Sequence, residues 1–438
     1  MQACNIAATK ALRDTDVIVS TSTGAMDPRL LSACGILVGA DEPIGASGRV
    51  RNGEGDRSRK KLQNDRMNTA PDGLPPLSCP FVIIDESCQS VEPASLIPIV
   101  STNSCRSLVL LGDPCQLPPT VRSGDIDSPL AVSLMSRLAA TLPHPQVAVA
   151  GIPNGNKNFN TQYLDALPMK KARSHFHAMS SEKKDQVSYR KRYGGSFLLT
   201  VQYRMHPSIS ALPSAIFYDG LLATPAFLAN ARQFPKVFGA SMPCADKELS
   251  VRMVHIGGRN NERQGSFKSY PKAITGSQSI FFGEKQQTSY WNLQEAKVVV
   301  ALVKEALSSA KNDPTSPKSI GIVTPYMAQV ELIKKKLNED EELVATLQKL
   351  STEVEVKTVD GFQGRERDLV IFSAVRSNRK GSIGFLRDWR RLNVSLTRAK
   401  SGLLVVGDKD TLSDGDKHWA SFLTWCDAVE CIFPSRNQ

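Results

Sequence analysis

Asp85 and Glu86 interrupt the segment FVIIDESCQ, where an apolar run gives way to two adjacent carboxylates. Carboxylates at the carboxyl end of a buried parallel strand sit where open α/β sheets bind their ligands. In that setting Asp85 suits a Mg²⁺ ion beside phosphates, and Glu86 suits the orientation and deprotonation of an attacking water. A helix cap or a solvated turn has the same composition, so the pair alone does not decide the matter. The next apolar run leads into GDPCQLPP, in which Gly112 permits a turn, Asp113 would face the same crevice, and Gln116 supplies a neutral donor and acceptor. Further on, FLLTVQYRMHP sets Tyr203 beside Arg204, an aromatic face for stacking and a guanidinium for a phosphate. VDGFQGRERD and NVSLTRAK follow, the second presenting Arg398 just before a strand, where a second domain could aim a cation at a γ-phosphate. A lone arginine of this kind is otherwise a surface charge.

Positioning such residues requires a scaffold, and the chain supplies one. Apolar, β-branched runs recur: VIVST at 17–21, FVIID at 81–85, LVLLGD at 108–113, IGIVT at 320–324, LVIFSAV at 369–375 and LLVVGD at 403–408. They read as buried parallel strands. Between them, NLQEAKVVVALVKEAL over 292–307 has apolar residues at three- and four-residue spacing behind an Asn in cap position, which predicts an amphipathic helix. Strands alternating with helices mean an α/β fold. Two segments break the pattern: 39–76, rich in Gly, Arg, Asp and Pro, and 151–195, which carries KKAR and YRKRY. Both read as surface insertions or disorder, and the domain boundary is expected near Phe197.

The chain has 438 residues, 41% hydrophobic and 22% charged, enough apolar material for about two cores. No run approaches the length needed to span a bilayer, and the start lacks a leader pattern, so secretion and membrane insertion are not expected. The nine cysteines form no C-x-x-C pair and no zinc-like cluster, which points to reduced thiols in a cytosolic or nuclear setting. The run RSRKK could direct nuclear import, although a solvated loop has the same make-up. His175 and His177 stand in a basic polar stretch without further ligands and read as loop. A formal charge of +11 would attract a polyanion, and it would equally serve solubility.

Taken in order, DESCQ, GDPCQLPP, QYRMHP, TPYMAQ, VDGFQGRERD and NVSLTRAK resemble the consecutive motifs of a superfamily 1B helicase, and the likeness is strongest to the senataxin and nonsense-mediated-decay helicase group. It extends to DVIVSTSTGAMDPRL and SYWNLQEAKVVVALV. The resemblance implies two RecA-like parallel-sheet domains of the P-loop NTPase type, with ATP and Mg²⁺ as cofactors and single-stranded RNA or DNA as partner. The first, incomplete, would span 1–150 and the second 196–438, with 151–195 a basic insertion between them. By resemblance Asp85 is the Mg²⁺ carboxylate, Glu86 the catalytic base, and Gln116 the γ-phosphate sensor. Tyr203 would stack on adenine, Arg204 would meet the γ-phosphate, Glu366 would lie near the ribose with Gln363 as its neighbour, and Arg398 would be the arginine finger. Ser20, Thr21 and Thr23 after one strand, and Thr324, Pro325 and Tyr326 after another, are the candidate nucleic-acid contacts. Movement would run 5′ to 3′.

One departure stands out. Such helicases use a G-x-x-x-x-G-K-[ST] loop to cradle phosphates, and this sequence contains no Gly-Lys dipeptide. The expectation is a chain truncated ahead of that loop and inactive by itself. The alternative is a shortened protein that binds nucleic acid or a partner without hydrolysing ATP.

Overall fold

A computed structural model of the chain describes residues 2–35, 70, 74–121, 129–141, 146–148, 197–258, 260–265, 289–308 and 313–435. Two compact units emerge, one formed by Met1–Pro114 with Pro118–Leu142, the other by Cys115–Leu117 with Pro143–Gln438. The segment 151–195 lies outside the described residues, as do His175 and His177 and all of 39–76 except Ala70 and residues 74–76.

In the first unit, helices α1 (Gln2–Arg13) and α2 (Pro28–Ala33) precede strand β1 (Phe81–Ile84), helix α3 (Glu92–Ser101), strand β2 (Ser107–Leu110) and helix α4 (Leu134–Thr141). β1 and β2 pair in parallel, Phe81 opposite Ser107 and Ile84 opposite Leu110. The expected burial is realised on one side of β1 only, where Val82 and Ile84 are buried while Phe81 is 72% and Ile83 65% exposed, and it is not realised in β2, where Leu108 and Val109 are 37% and 44% exposed and no residue is buried. The run VIVST corrects the strand reading outright. Residues 17–21 pair with no strand among the described residues, and Val17 and Val19 are 75% and 90% exposed. A strand exists through a neighbour's amides and carbonyls. Here Thr21 O is instead taken by Ala25 N–H at 3.1 Å, which winds the chain into a turn.

The second unit is built on a six-stranded sheet. In chain order its elements are β3 (Gln146–Ala148), β4 (Phe197–Leu199), α5 (Pro207–Phe217), β5 (Val251–His255), β6 (Glu262–Gln264), β7 (Tyr290–Asn292) and α6 (Leu293–Ser308). There follow β8 (Ser319–Thr324), α7 (Met327–Asn338), α8 (Glu341–Leu350), β9 (Glu353–Thr358), β10 (Arg367–Ser373), α9 (Trp389–Leu396), β11 (Ala399–Gly407), α10 (Lys409–Gly415), α11 (Lys417–Ala428) and β12 (Ile432–Pro434). The order across the sheet is β12-β5-β11-β10-β8-β9, parallel throughout.

Alternation along the central strands feeds two cores. Leu369, Ile371, Leu404, Val406, Ile320 and Ile322 pack with Val299 and Val303 of α6 on one face. Val370, Phe372, Leu403 and Val405 pack with Leu212 of α5, Val394 of α9 and Trp419 of α11 on the other. Each such side chain contributes roughly 1.5–3 kcal/mol on burial, so these strands are rigid supports for whatever their ends carry. Helix α6 starts as its sequence predicts, Asn292 Oδ1 accepting from the N–H of Gln294 at 3.1 Å and of Glu295 at 3.2 Å.

Candidate nucleotide and strand sites

In the first unit, β1 ends at Ile84 and delivers Asp85 and Glu86 to the surface. Glu86 takes the left-handed conformation, φ 49° and ψ 36°, which reverses the chain directly behind the strand. Its N–H donates to Asp85 Oδ1 at 2.9 Å, and Gln89 Nε2 donates to Glu86 Oε2 at 2.6 Å. The turn is fixed from beneath by Ser87, whose N–H and Oγ donate to Leu111 O at 2.8 and 2.7 Å. Each carboxylate thus has one oxygen spoken for and one without a protein donor among the described residues, an arrangement that fits a hydrated divalent cation. Gly112 is needed for closeness and not for a left-handed turn. A Cβ there would lie 3.1 Å from the backbone nitrogen of Cys88 and from Met135 Sδ, and its φ is not positive. Ser20, Thr21 and Thr23 lie exposed in the turn after residues 17–19, where Thr21 Oγ1 accepts from Gly24 N–H at 2.9 Å.

In the second unit, four separate stretches of sequence meet at the amino ends of β10 and β11. Gln202 organises the first: its Oε1 accepts from the N–H of Arg204 at 3.0 Å and of Met205 at 2.8 Å, while Nε2 donates to Thr224 Oγ1 at 2.6 Å. This loop holds Tyr203 outward, 63% exposed, and aims Arg204 inward. Arg204 Nε donates to Glu366 Oε2 at 2.6 Å, and Nη1 donates to Thr397 O at 3.2 Å. The other oxygen of Glu366 takes Lys400 Nζ at 2.8 Å. Partial burial alone would push the Glu366 carboxyl up, but the hydrogen bonds from Lys400 and Arg204 outweigh it and hold the group at about 2.

Arg398 stands beside this cluster and is only 2% exposed. Its Nε donates to Val394 O at 3.1 Å, and its Nη2 donates to Thr397 Oγ1 and to Gln116 Oε1, both at 3.0 Å. Gln116 belongs with this unit through the short segment Cys115–Leu117, anchored by Asn393 Nδ2 donating to Cys115 O at 2.8 Å. Gln363, just after the short helix Val359–Phe362, has a buried Nε2 with no partner among the described residues.

Thr324, Pro325 and Tyr326 lie at the opposite, carboxyl end of the sheet, where β8 stops. Thr324 is buried with an unpartnered Oγ1, and Tyr326 is 3% exposed, its ring 5.2 Å from that of Tyr290. What these two can offer a strand from this position is backbone. Beneath them, Arg376 forks onto Glu262 at 3.0 and 3.1 Å and reaches Tyr326 OH at 3.3 Å. Fully buried Glu295 accepts from Ser373 Oγ and Val375 N–H, each at 2.7 Å, and so holds Val375 at φ 70°, a strained value for a β-branched residue. Burial pushes the Glu295 carboxyl up to about 8, against the pull of those two hydrogen bonds.

A family model described as an AAA domain matches residues 173–410, more than half of the chain, and a second model with the same description matches 68–124. The chain is 31% identical over 353 residues to the DNA polymerase alpha-associated DNA helicase A of Saccharomyces cerevisiae, an alignment covering 79% of this chain and 41% of that one. It is 31% identical over 364 residues to the regulator of nonsense transcripts 1 homolog of Arabidopsis thaliana, covering 80% and 21%, and 32% identical over 346 residues to the probable helicase senataxin of Homo sapiens, covering 78% and 10%. This chain belongs to the superfamily 1B helicase family, in the senataxin and nonsense-mediated-decay group. It spans less than half the length of each of these relatives. Its parallel α/β sheets are those of the RecA-like fold.

Within this member of the family the structure adds residues beyond those the motifs single out. Gln202 and Lys400 lie inside QYRMHP and NVSLTRAK, so their signal was adjacency to the residues chosen. Gly321 had none. A Cβ on it would come within 2.5 Å of Phe362 Cζ, and the Phe362 ring anchors the return from β9 that carries Gln363 and Glu366.

Proposed function

We propose that this chain is motor-core sequence of an ATP-dependent helicase that couples hydrolysis between two RecA-like lobes to 5′ to 3′ movement along single-stranded RNA or DNA. The lobes correspond to about 1–150 and 196–438, joined through the basic stretch 151–195. The observation that carries the reading is the convergence of Arg204, Glu366, Lys400, Arg398 and Gln116 at one end of the parallel sheet. A guanidinium already poised on a carboxylate can exchange that partner for a phosphate at little reorganisation cost. Asp85 would hold Mg²⁺, which supplies charge neutralisation on the phosphates, while Glu86 orients and deprotonates the water. Tyr203 offers its exposed ring to a base, and Ser20, Thr21, Thr23 and the backbone of Thr324–Tyr326 offer contacts to the nucleic-acid strand.

A second reading, a nucleic-acid-binding protein that does not hydrolyse ATP, draws support from Arg398, whose guanidinium is buried and already bonded to Gln116 and Thr397. ATP hydrolysis stimulated by a single-stranded oligonucleotide, measured on a chain extended to include a G-x-x-x-x-G-K-[ST] loop, separates the two. Under the motor reading Glu86→Gln and Arg398→Ala each lower turnover by about 10²–10³. Saturable strand binding without turnover by that extended protein would favour the second.

A further inference from the structure

Arg252, the second residue of β5, is 1% exposed, yet no carboxylate among the described residues pairs with it. Its hydrogen bonds go to carbonyls: Nε to Met242 O at 2.8 Å, and Nη1 to Leu249 O at 2.5 Å and Val251 O at 2.9 Å. The guanidinium lies over the Phe234 ring, 4.6 Å from its centroid. Three neutral acceptors satisfy three of its five N–H groups, leaving the two on Nη2 without an acceptor among the described residues. The Asp246 carboxylate acts on the guanidinium electrostatically but does not bond to it, and a buried cation without a bonded counter-ion is costly, so an anion that reaches it is favoured.

Arg252 lines a cavity of about 410 Å³. That size suits a small organic molecule. Phe234, Pro235 and Pro243 give it apolar walls, and the exposed Lys236 and Lys247 stand at its edge with Glu248 as the one carboxylate. His206 also lines it and is neutral near pH 7, because burial pushes its imidazole down to about 4. Among the described lining residues three cations face one carboxylate, around apolar walls and a buried guanidinium whose Nη2 is unbonded, which describes a receptor for a specific kind of molecule.

We propose that this cavity binds a small ligand made of an apolar, preferably aromatic, body bearing a carboxylate or phosphate, the anionic head on Arg252 Nη2 and the body against Phe234 and Pro243. None of the residues placed in the nucleotide or strand sites lines the cavity, so the site stands apart from the proposed motor chemistry.

Titration calorimetry of the protein with phenylacetate and with phenyl phosphate tests this, the two probes separating a carboxylate from a phosphate source. Saturable binding of at least one probe is expected, with benzyl alcohol, the uncharged counterpart, not binding. Gly239→Phe should abolish it, because Gly239 lines the cavity and a Cβ there meets nothing within 4 Å, so the new ring can fill the space in a folded protein. Arg252→Gln and Lys247→Glu should each weaken binding by about tenfold or more. Lys349→Gln, outside the cavity, should change nothing. No saturation by either probe, or equal binding by the Gly239→Phe protein with an unchanged melting temperature, would overturn the assignment. So would weakening of oligonucleotide binding by Gly239→Phe to the same degree, which would make the cavity part of the strand path.

Discussion

Arg204 donates its Nε to Glu366 at 2.6 Å across 162 residues of sequence, and Lys400 holds the other oxygen of the same carboxylate at 2.8 Å. One acidic side chain therefore keeps two cations apart and at fixed height beside Arg398. A depressed carboxyl favours the folded state above its unfolded value and loses that contribution as protons are added.

The first expectation concerns acid. Glu366 is held at about 2 against an ordinary 4.5, so its contribution is complete above about pH 4.5 and fades between there and about pH 2. The stability difference between the unmodified protein and Glu366→Gln, from urea unfolding, should shrink as pH falls through that window. A difference that is constant with pH would remove the ion pairs as its cause.

Glu295 has the reverse sign. Its carboxyl is raised to about 8, so the folded state binds a proton that the unfolded state releases above about pH 4.5. Stability from this group is full below that value and declines as pH rises towards 8. Glu295→Gln should flatten the decline while keeping an acceptor for Ser373 and Val375; an unaltered pH profile would show that the group stays ionised when folded.

Gly321→Ala should destabilise the second unit by about 1–3 kcal/mol through overpacking against Phe362. Adding Phe362→Leu should restore part of the loss, and strict additivity of the two changes would deny the contact.

Tyr203 is exposed, so Tyr203→Ala should leave the unfolding free energy within about 0.5 kcal/mol. Binding of a fluorescent ATP analogue should nevertheless weaken by about tenfold, a loss of the size expected for an aromatic stack. Equal affinity in both proteins would place adenine elsewhere.

The parts most legible in the sequence were those governed by short-range rules. Strand runs such as LVIFSAV and LLVVGD carry a two-residue alternation that sorts itself onto two faces, and Asn292 announces the start of α6. The motifs also contain the side chains of one cluster, Arg204, Glu366, Arg398 and Gln116, although the bonds that join them span 162 residues between Arg204 and Glu366 and 282 between Arg398 and Gln116. What could not be read was long-range. VIVST has strand composition but no described neighbour to pair with, and the burial of Tyr326 depends on Tyr290, Arg376 and Phe385. Arg252 resembles any other strand arginine until its surroundings show three carbonyls and, among the described residues, no ion pair.

The seven-residue strand β10 begins beside Glu366 and ends at Ser373, bonded to buried Glu295 under Tyr326. At roughly 3.3 Å per residue it is a rod of about 20 Å, clamped by hydrogen-bonded partners on both sides. A rod clamped in that way does not stretch, so a displacement of Glu366 when a nucleotide arrives must be delivered at its far tip as tilt or translation. The nearest thing to give there is the Val375 turn, already wound against its preference.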